Sequence, residues 1–386
     1  MTASAEHCLF VYSPDYQEYR LRRGHPFDPV RVEASRSLIE ACGLLPPELV
    51  VPAEAAGDED LLSVHSEVYL RVVKEASRGA AERDLAHYGL GTPDTPAFPG
   101  MHEAAAAVVG GTLTAARLVV EGTTRRALNL GGGLHHAHRA KAAGFCVYND
   151  LSVAIAELRS RGLRVAYLDV DAHHGDGVQW LHYDDPDVLT ISLHETGRYL
   201  FPGTGFTFEL GRGDGLGSSL NVPLEPYTED RSLLEALERV VAPALAWHRP
   251  DVLVLQAGAD AHFLDPLADL ALTTQGLHAA FRLAVQLAEA HCGGRVVATG
   301  GGGYATWQAV PRAWTGLYAA LAGTTLPDEV PEEWIARWEA IAGEELPHSF
   351  ADEPPAVPRR DQVEARNRQV VDRLLLEWRS VTGQES

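Results

Sequence analysis

Cysteine is scarce in this 386-residue chain: Cys8, Cys42, Cys146 and Cys292 stand far apart, with no CxxC among them. That excludes a disulfide framework and a cysteine-rich zinc site, and leaves buried thiols as the reading. Positive charge is scarce too, with 32 Lys and Arg against 53 Asp and Glu and a net charge of −21. Such a surface repels phosphate backbones and anionic lipids, so neither a nucleic acid nor a membrane is an expected partner. No apolar run is read as approaching the roughly 18–20 residues that cross a bilayer. The opening MTASAEHCLFVYS has no basic stretch followed by an apolar one, so no secretory leader is expected and the expected location is cytoplasmic.

What is present is a 46% hydrophobic complement, enough for a packed core and too much for a disordered chain. Five apolar runs rich in β-branched residues each end in Gly, His or Asp: RALNLGGG (126–133), VAYLDVD (165–171), VLTISLH (188–194), DVLVLQAGAD (251–260) and RVVATGGGGY (295–304). Nearly continuous apolar runs are strands covered on both faces, hence a parallel sheet. The stretches 149–161, 229–247 and 274–291 have helical spacing and the length of crossover helices. The class is therefore α/β. With no internal repeat and no Gly/Ser linker, the reading is a single domain over 1–386, its core at about 8–345. A Pro-rich segment (346–360) and a C-terminal helix (361–381) are expected to pack on it.

In an open parallel sheet, ligands bind beyond the carboxyl ends of the strands, where these runs place their polar residues. Asp-Val-Asp-Ala-His-His-Gly-Asp (169–176) has the composition of a site for zinc, iron(II), manganese or cobalt. Alternation at a strand end points Asp171 and His173 the same way, and Asp260 would complete a three-ligand set with room for water and substrate. Adjacent His135 and His136 could be further ligands. The acid/base reading is preferred, because Asp169 and Asp176 remain to orient one imidazole each and set their pKa values apart. Gly300-Gly301-Gly302-Gly303-Tyr304 lacks the Lys-Ser/Thr of a phosphate-binding loop, and its phenol would donate to a developing oxyanion.

Taken together, GGGLHHAHRAKAAGFCVYND (131–150), YLDVDAHHGDGVQ (167–179), TISLH (190–194), FPGTG (201–205), QAGADAHFLDPL (256–267) and GGGGY (300–304) resemble the zinc-dependent histone deacetylase family. The resemblance runs from about Gly24 to Trp314 and is greatest to bacterial acetoin-utilisation-type deacetylases, relatives of the eukaryotic class I enzymes. It implies an arginase/deacetylase fold, about eight parallel strands with helices on both faces and a narrow substrate tunnel. By motif it implies metal ligands Asp171, His173 and Asp260, and catalytic residues His135, His136 and Tyr304 with Asp169 and Asp176. It also implies Gly144, Phe145, Phe201 and Leu267 lining the tunnel and Asp94 holding substrate at the rim. A structural potassium would use Asp169, Asp171, His173, Ser192 and Leu193, with Zn2+ or Fe2+ as the catalytic metal. Arg31 matches an arginine that receives released acetate. Leu134 departs from the pattern, standing where several relatives place an aromatic or proline, as does Pro93 before Asp94; both bear on substrate preference.

The implied activity is metal-dependent hydrolysis of Nε-acetyl-lysine in proteins, with cytosolic metabolic enzymes such as acyl-CoA synthetases as partners. The alternative is an acetylpolyamine or other small acylamine amidohydrolase, which would carry inserted loops and added carboxylates at the mouth; no large insertion stands between Tyr88 and Gly110. A binuclear arginase-like site would need acids where Gly175 and His262 stand. A catalytically silent acyl-lysine reader would have lost Tyr304, a ligand or a histidine, and none is lost.

Overall fold

The computed structural model describes residues 7–80 and 84–384. The segments 1–6, 81–83 and 385–386, including the start of the chain on which the absence of a leader was read, lie outside the described residues. The strands are β1 (Cys8–Tyr12), β2 (Val50–Pro52), β3 (Arg126–Asn129), β4 (Val165–Asp169), β5 (Val188–Glu195), β6 (Ser219–Leu224), β7 (Val252–Gln256) and β8 (Val296–Thr299). They form one sheet in the order β2-β1-β3-β8-β7-β4-β5-β6, with every pairing parallel. The helices are α1 (Val30–Ala41), α2 (Asp58–Leu62), α3 (Glu67–Ser77), α4 (Met101–Val120), α5 (Asp150–Ser160) and α6 (Asp176–Leu181). They continue with α7 (Asp230–His248), α8 (Thr274–His291), α9 (Val310–Ala322), α10 (Glu332–Ala342) and α11 (Arg360–Thr382).

Successive strand residues point to opposite faces, and both faces are covered. Val165, Tyr167, Val252 and Val254 pack with Leu151, Ile155 and Leu158 of α5 and Val119 of α4. Their alternates Ala166, Leu168, Leu253 and Leu255 pack with Leu237 and Val241 of α7, Phe281 of α8 and Trp314 of α9. This two-sided burial is why the strands read as unbroken apolar runs. The five runs picked out in the sequence are the contiguous centre of the sheet, β3-β8-β7-β4-β5. β1 and the outer strands β2 and β6 were not among them: β2 is three partly exposed residues, and β6 (SLNVPL) carries Asn221 and Pro223. Proline is tolerated there because one side of an edge strand has no ladder partner.

One expectation is corrected. α4 is by length and composition apolar enough to cross a bilayer, which the sequence reading passed over. In the fold it is a core helix, with Ala105, Val109, Ala115 and Ala116 fully buried. The Trp378 indole of α11 donates to the Gly217 carbonyl at 2.9 Å, and Asn367 bridges Glu225, Thr228 and Ser232, so α11 covers the β6 edge.

The Pro-rich segment inserts one charge into the body. Asp352 accepts from Arg312 Nη1 at 2.7 Å, His262 Nε2 at 2.9 Å and the Thr274 amide at 2.7 Å. Burial would raise its pKa, but the His262 hydrogen bond and the Arg312 charge outweigh it and hold the carboxyl well below the usual range. Asp352→Ala strands the buried Arg312, and an uncompensated buried charge costs about 3–5 kcal/mol. Chemical unfolding at neutral pH should show that loss. A depressed carboxylate stabilises the fold fully above its unfolded pKa of about 4, so the gap between wild type and variant should shrink as pH falls below that value.

Candidate active site

The polar residues that end β3, β8, β7 and β4 meet along one edge of the sheet. The chain runs β1 to β3 and resumes at β4 beyond a gap of two strands, which β7 and β8 later fill. Ligands bind where strand order switches in this way. The loop after β3 brings His135 and His136, that after β4 brings Asp171 and His173, that after β7 brings Asp260, and that after β8 brings Tyr304.

Asp171, His173 and Asp260 are buried and place one ligand atom each within 4.8 Å of the others. His173 Nδ1 lies 3.2 Å from Asp171 Oδ1 and 2.9 Å from Asp260 Oδ2. The free oxygens are fixed by other donors: Asp171 Oδ2 accepts from Gln256 Nε2 at 2.6 Å and the Gly302 amide at 2.7 Å, and Asp260 Oδ1 from the Ala172 amide at 2.8 Å. A Cβ on Gly302 would fall 1.9 Å from Asp260 Oδ2, so glycine there lets the loop close over the carboxylates. Burial and the Asp171 charge push the Asp260 carboxyl up to about 8. Burial opposes a charge on His173 as well, yet the two carboxylates hold its pKa well above the ordinary value. Two buried carboxylates and an imidazole facing one point fit a divalent cation, whose charge would remove the repulsion between the acids.

Beside this cluster lie two imidazole–carboxylate pairs. His135 Nδ1 is 2.8 Å from Asp169 Oδ2 and His136 Nδ1 is 2.6 Å from Asp176 Oδ1. The two Nε2 atoms are 3.0 Å apart, so at most one of them carries a proton toward the other. The pairs titrate apart. Burial lowers the pKa of His135, but Asp169 and Asp171 outweigh it and raise the value to about 9. Burial and the positive charge on His135 lower that of His136 to about 4. Burial and the acids Asp260 and Asp171 drive the Tyr304 phenol well above its ordinary range, so it stays a donor.

The other expected residues fall around this centre. Phe145 lies 5.7 Å from the Tyr304 ring and Phe201 5.0 Å from that of His136, so the two aromatics flank the approach. Gly144 touches His136: a Cβ there would be 2.2 Å from its Cδ2. Asp94 Oδ2 accepts from the Gly144 amide at 3.0 Å, which ties the rim to this wall. Leu267 is half-buried, and its amide donates to Asp265. Ser192 pairs with Asp169 in the β4–β5 ladder, next to Leu193, and Ser192 Oγ is 2.7 Å from His194 Nδ1. Arg31 is 2% exposed; its Nη1 donates to the Gly303 carbonyl at 2.9 Å, and its guanidinium lies 4.2 Å over Phe27 and 5.2 Å from Trp314.

Four supporting residues were not singled out in the sequence. Asp150 accepts the amides of Gly133 and Leu134 and the hydroxyl of Thr112, bracing the loop just before the two histidines. Asn149 caps α5 through its side-chain oxygen and donates to the carbonyls of His135 and Ala137. Gln256 holds Asp171, and Asp265 accepts the amides of Tyr304 and Leu267. Their signal was polarity in the wrong place: Gln256 ends an apolar strand run, and Asn-Asp opens a helix whose first turn is buried.

With this geometry in hand, the relatives are informative. The histone deacetylase domain profile matches residues 25–321. The acetoin utilization protein AcuC of Bacillus subtilis (strain 168) is 46% identical over 377 residues, 96% of this chain and 97% of that protein. AcuC of Staphylococcus aureus (strain MSSA476) is 41% identical over 314 residues, 81% of each. Among solved structures, a histone deacetylase homolog from Aquifex aeolicus matches with a TM-score of 0.84 at 30% identity, covering 95% of this chain and all of that one. The chain belongs to the histone deacetylase family and has the arginase/deacetylase fold. It is a deacetylase-type hydrolase of the metal-dependent amidohydrolase class.

Gly144→Ala tests the closeness of the wall. The added methyl must displace the His136 ring, and alanine is strained at the φ of +50° found here. Activity should fall about 100-fold, since misplacing a reacting group by about 1 Å costs that much. Thermal unfolding should register a loss of more than about 1 kcal/mol.

Proposed function

We propose that this protein hydrolyses the Nε-acetyl-lysine amide in proteins, releasing lysine and acetate. The observation that carries the reading is the meeting of the Asp171, His173 and Asp260 cluster with two carboxylate-backed imidazoles and a half-buried phenol, Phe145 lying against the phenol ring and Phe201 against that of His136. Asp171, His173 and Asp260 would hold Zn2+ or Fe2+, which when bound supplies Lewis acidity toward the acyl oxygen and lowers the pKa of water. Phe145 and Phe201 would grip the methylene stem of the lysine, with Gly144 and Leu267 completing the wall and Asp94 holding the substrate backbone at the rim. Tyr304 donates a hydrogen bond to the acyl oxygen as negative charge develops there. His136, kept neutral by burial and by its charged neighbour, accepts the proton of the attacking water at Nε2 and then passes it to the leaving amine. His135 stays an imidazolium on Asp169 and stabilises the same charge. Arg31, whose Nη1 donates to the Gly303 carbonyl and whose buried Nε has no hydrogen-bond partner among the described residues, would be the resting place for acetate. Asp169, Asp171 and His173 with Ser192 and Leu193 would bind a structural K+. The acidic surface suits a lysine-bearing substrate, and the relatives named for acetoin utilisation suit cytoplasmic metabolic enzymes, acyl-CoA synthetases among them.

Acetate release from an acetyl-lysine peptide and from acetylputrescine, with Zn2+ or Fe2+ supplied, tests this. Tyr304→Phe should lose about 10²–10³ in kcat, and Asp171→Ala should abolish peptide turnover together with bound metal. Turnover of acetylputrescine alone would transfer the reading to small acylamines. The pH profile gives a second check. Activity should fall on the acid side as His136 gains a proton, below its unperturbed pKa of about 6.5, and on the alkaline side as His135 loses one. Asp169→Asn removes the charge that raises His135, so the alkaline limb should move down by about one pH unit or more.

A further inference from the structure

Asp176 has two imidazole neighbours, and the chemistry above uses only one. Its Oδ1 meets His136 Nδ1 at 2.6 Å; its Oδ2 lies 3.2 Å from Nε2 of His138. The two rings differ in access, the His136 side chain being 6% exposed and that of His138 32%. Asp176 itself is buried at the start of α6, and among the described residues its ion-pair neighbours are His136 and His138. The His138 backbone is held in place. Its amide donates to the Lys141 carbonyl at 2.8 Å, and its carbonyl accepts from Nδ1 of His65 at 3.1 Å. His65 Nε2 in turn accepts the amide of Asn149, whose side chain donates to the carbonyls of His135 and Ala137 on either side of His136. One brace therefore sets His136 and His138 against opposite oxygens of the same carboxylate.

We propose that His138 is a positioning residue for the reaction: by engaging the second oxygen of Asp176, it fixes the orientation of that carboxylate and its strength as an acceptor toward His136. A carboxylate shared by two donors is a weaker acceptor for each, and one held at both oxygens cannot turn out of the plane of the His136 ring. His138 thus acts through Asp176 on how readily His136 takes and gives a proton. The inference rests on His136 being the proton-transferring group.

NMR of protein with nitrogen-15-labelled histidine tests it without turnover. The His136 Nδ1 proton, identified by its loss in His136→Ala, should move downfield in His138→Ala, because Asp176 then accepts from His136 alone. It should stay near its wild-type position in His138→Gln, which keeps an N–H donor. In turnover of the acetyl-lysine peptide, His138→Ala should lower kcat about tenfold, a fraction of what a proton-transferring group supplies, with KM little changed. His138→Gln should recover part of that loss, and so should free imidazole, which the exposed position admits. An unmoved resonance in His138→Ala overturns the proposal, as does an unchanged kcat or a loss that neither Gln nor imidazole restores. A wild-type protein that leaves acetyl-lysine intact would overturn the proposed function instead, and the resonance would still decide the role of His138.

Discussion

Four carboxylates, Asp169, Asp171, Asp176 and Asp260, are buried along one edge of a parallel sheet, and the surrounding structure answers that cost. An isolated buried carboxylate is so unfavourable that it neutralises or draws in partners. Here each has drawn in a specific one. Asp169 takes His135, the Tyr167 hydroxyl and the Asp171 amide. Asp171 takes Gln256 and Gly302, Asp176 takes two histidines, and Asp260 takes His173 and Ala172. The partners come from all four neighbouring strand ends, so compensating the charge also assembles the site. Loops that would otherwise be mobile at a sheet edge are stitched together by the acids they need for chemistry.

The same cost explains how far the sequence could be read. Five strands were legible because burial on both faces leaves an unbroken apolar run, and those five lie side by side at the centre. The outer strands escaped because an edge strand needs neither length nor unbroken apolarity: β2 is Val-Val-Pro, and β6 carries Asn221 and Pro223. Asp171, His173 and Asp260 were legible because carboxylate and imidazole at a strand end have few other uses. Asp150 and Asp265 were not. They serve backbone amides, and no spacing in sequence distinguishes such an acid from a solvated one. α4 shows the converse, since a helix covered on nearly every side in a large core has the composition of a membrane span.

The same acids make the two histidines unequal. Adjacent in sequence and only 4.0 Å apart between ring centres, they have pKa values pushed in opposite directions. His135 shares its surroundings with two acids, Asp169 and Asp171, and so keeps its charge. That charge then bears on His136, whose acid is single and shared. In the proposed reaction two protonated imidazoles could accept no proton, and two neutral ones would leave no positive charge beside the substrate carbonyl. The unequal division of carboxylates between the pairs gives one acceptor and one cation from a repeated residue.

Support for the site extends beyond the family-matched segment, which ends at residue 321. Asp352 accepts from His262, two residues after Asp260, and from the first amide of α8, at the end of the same loop. Asp265 within that loop accepts the amide of Tyr304. A chain of hydrogen bonds thus runs from the Pro-rich segment, through the loop carrying a metal-ligand candidate, to the tyrosine. Because Asp352 also neutralises Arg312, a residue only 2% exposed, the segment cannot leave without stranding a buried cation. The C-terminal region is therefore bound to the active-site loop by the same kind of charge compensation that holds the site together.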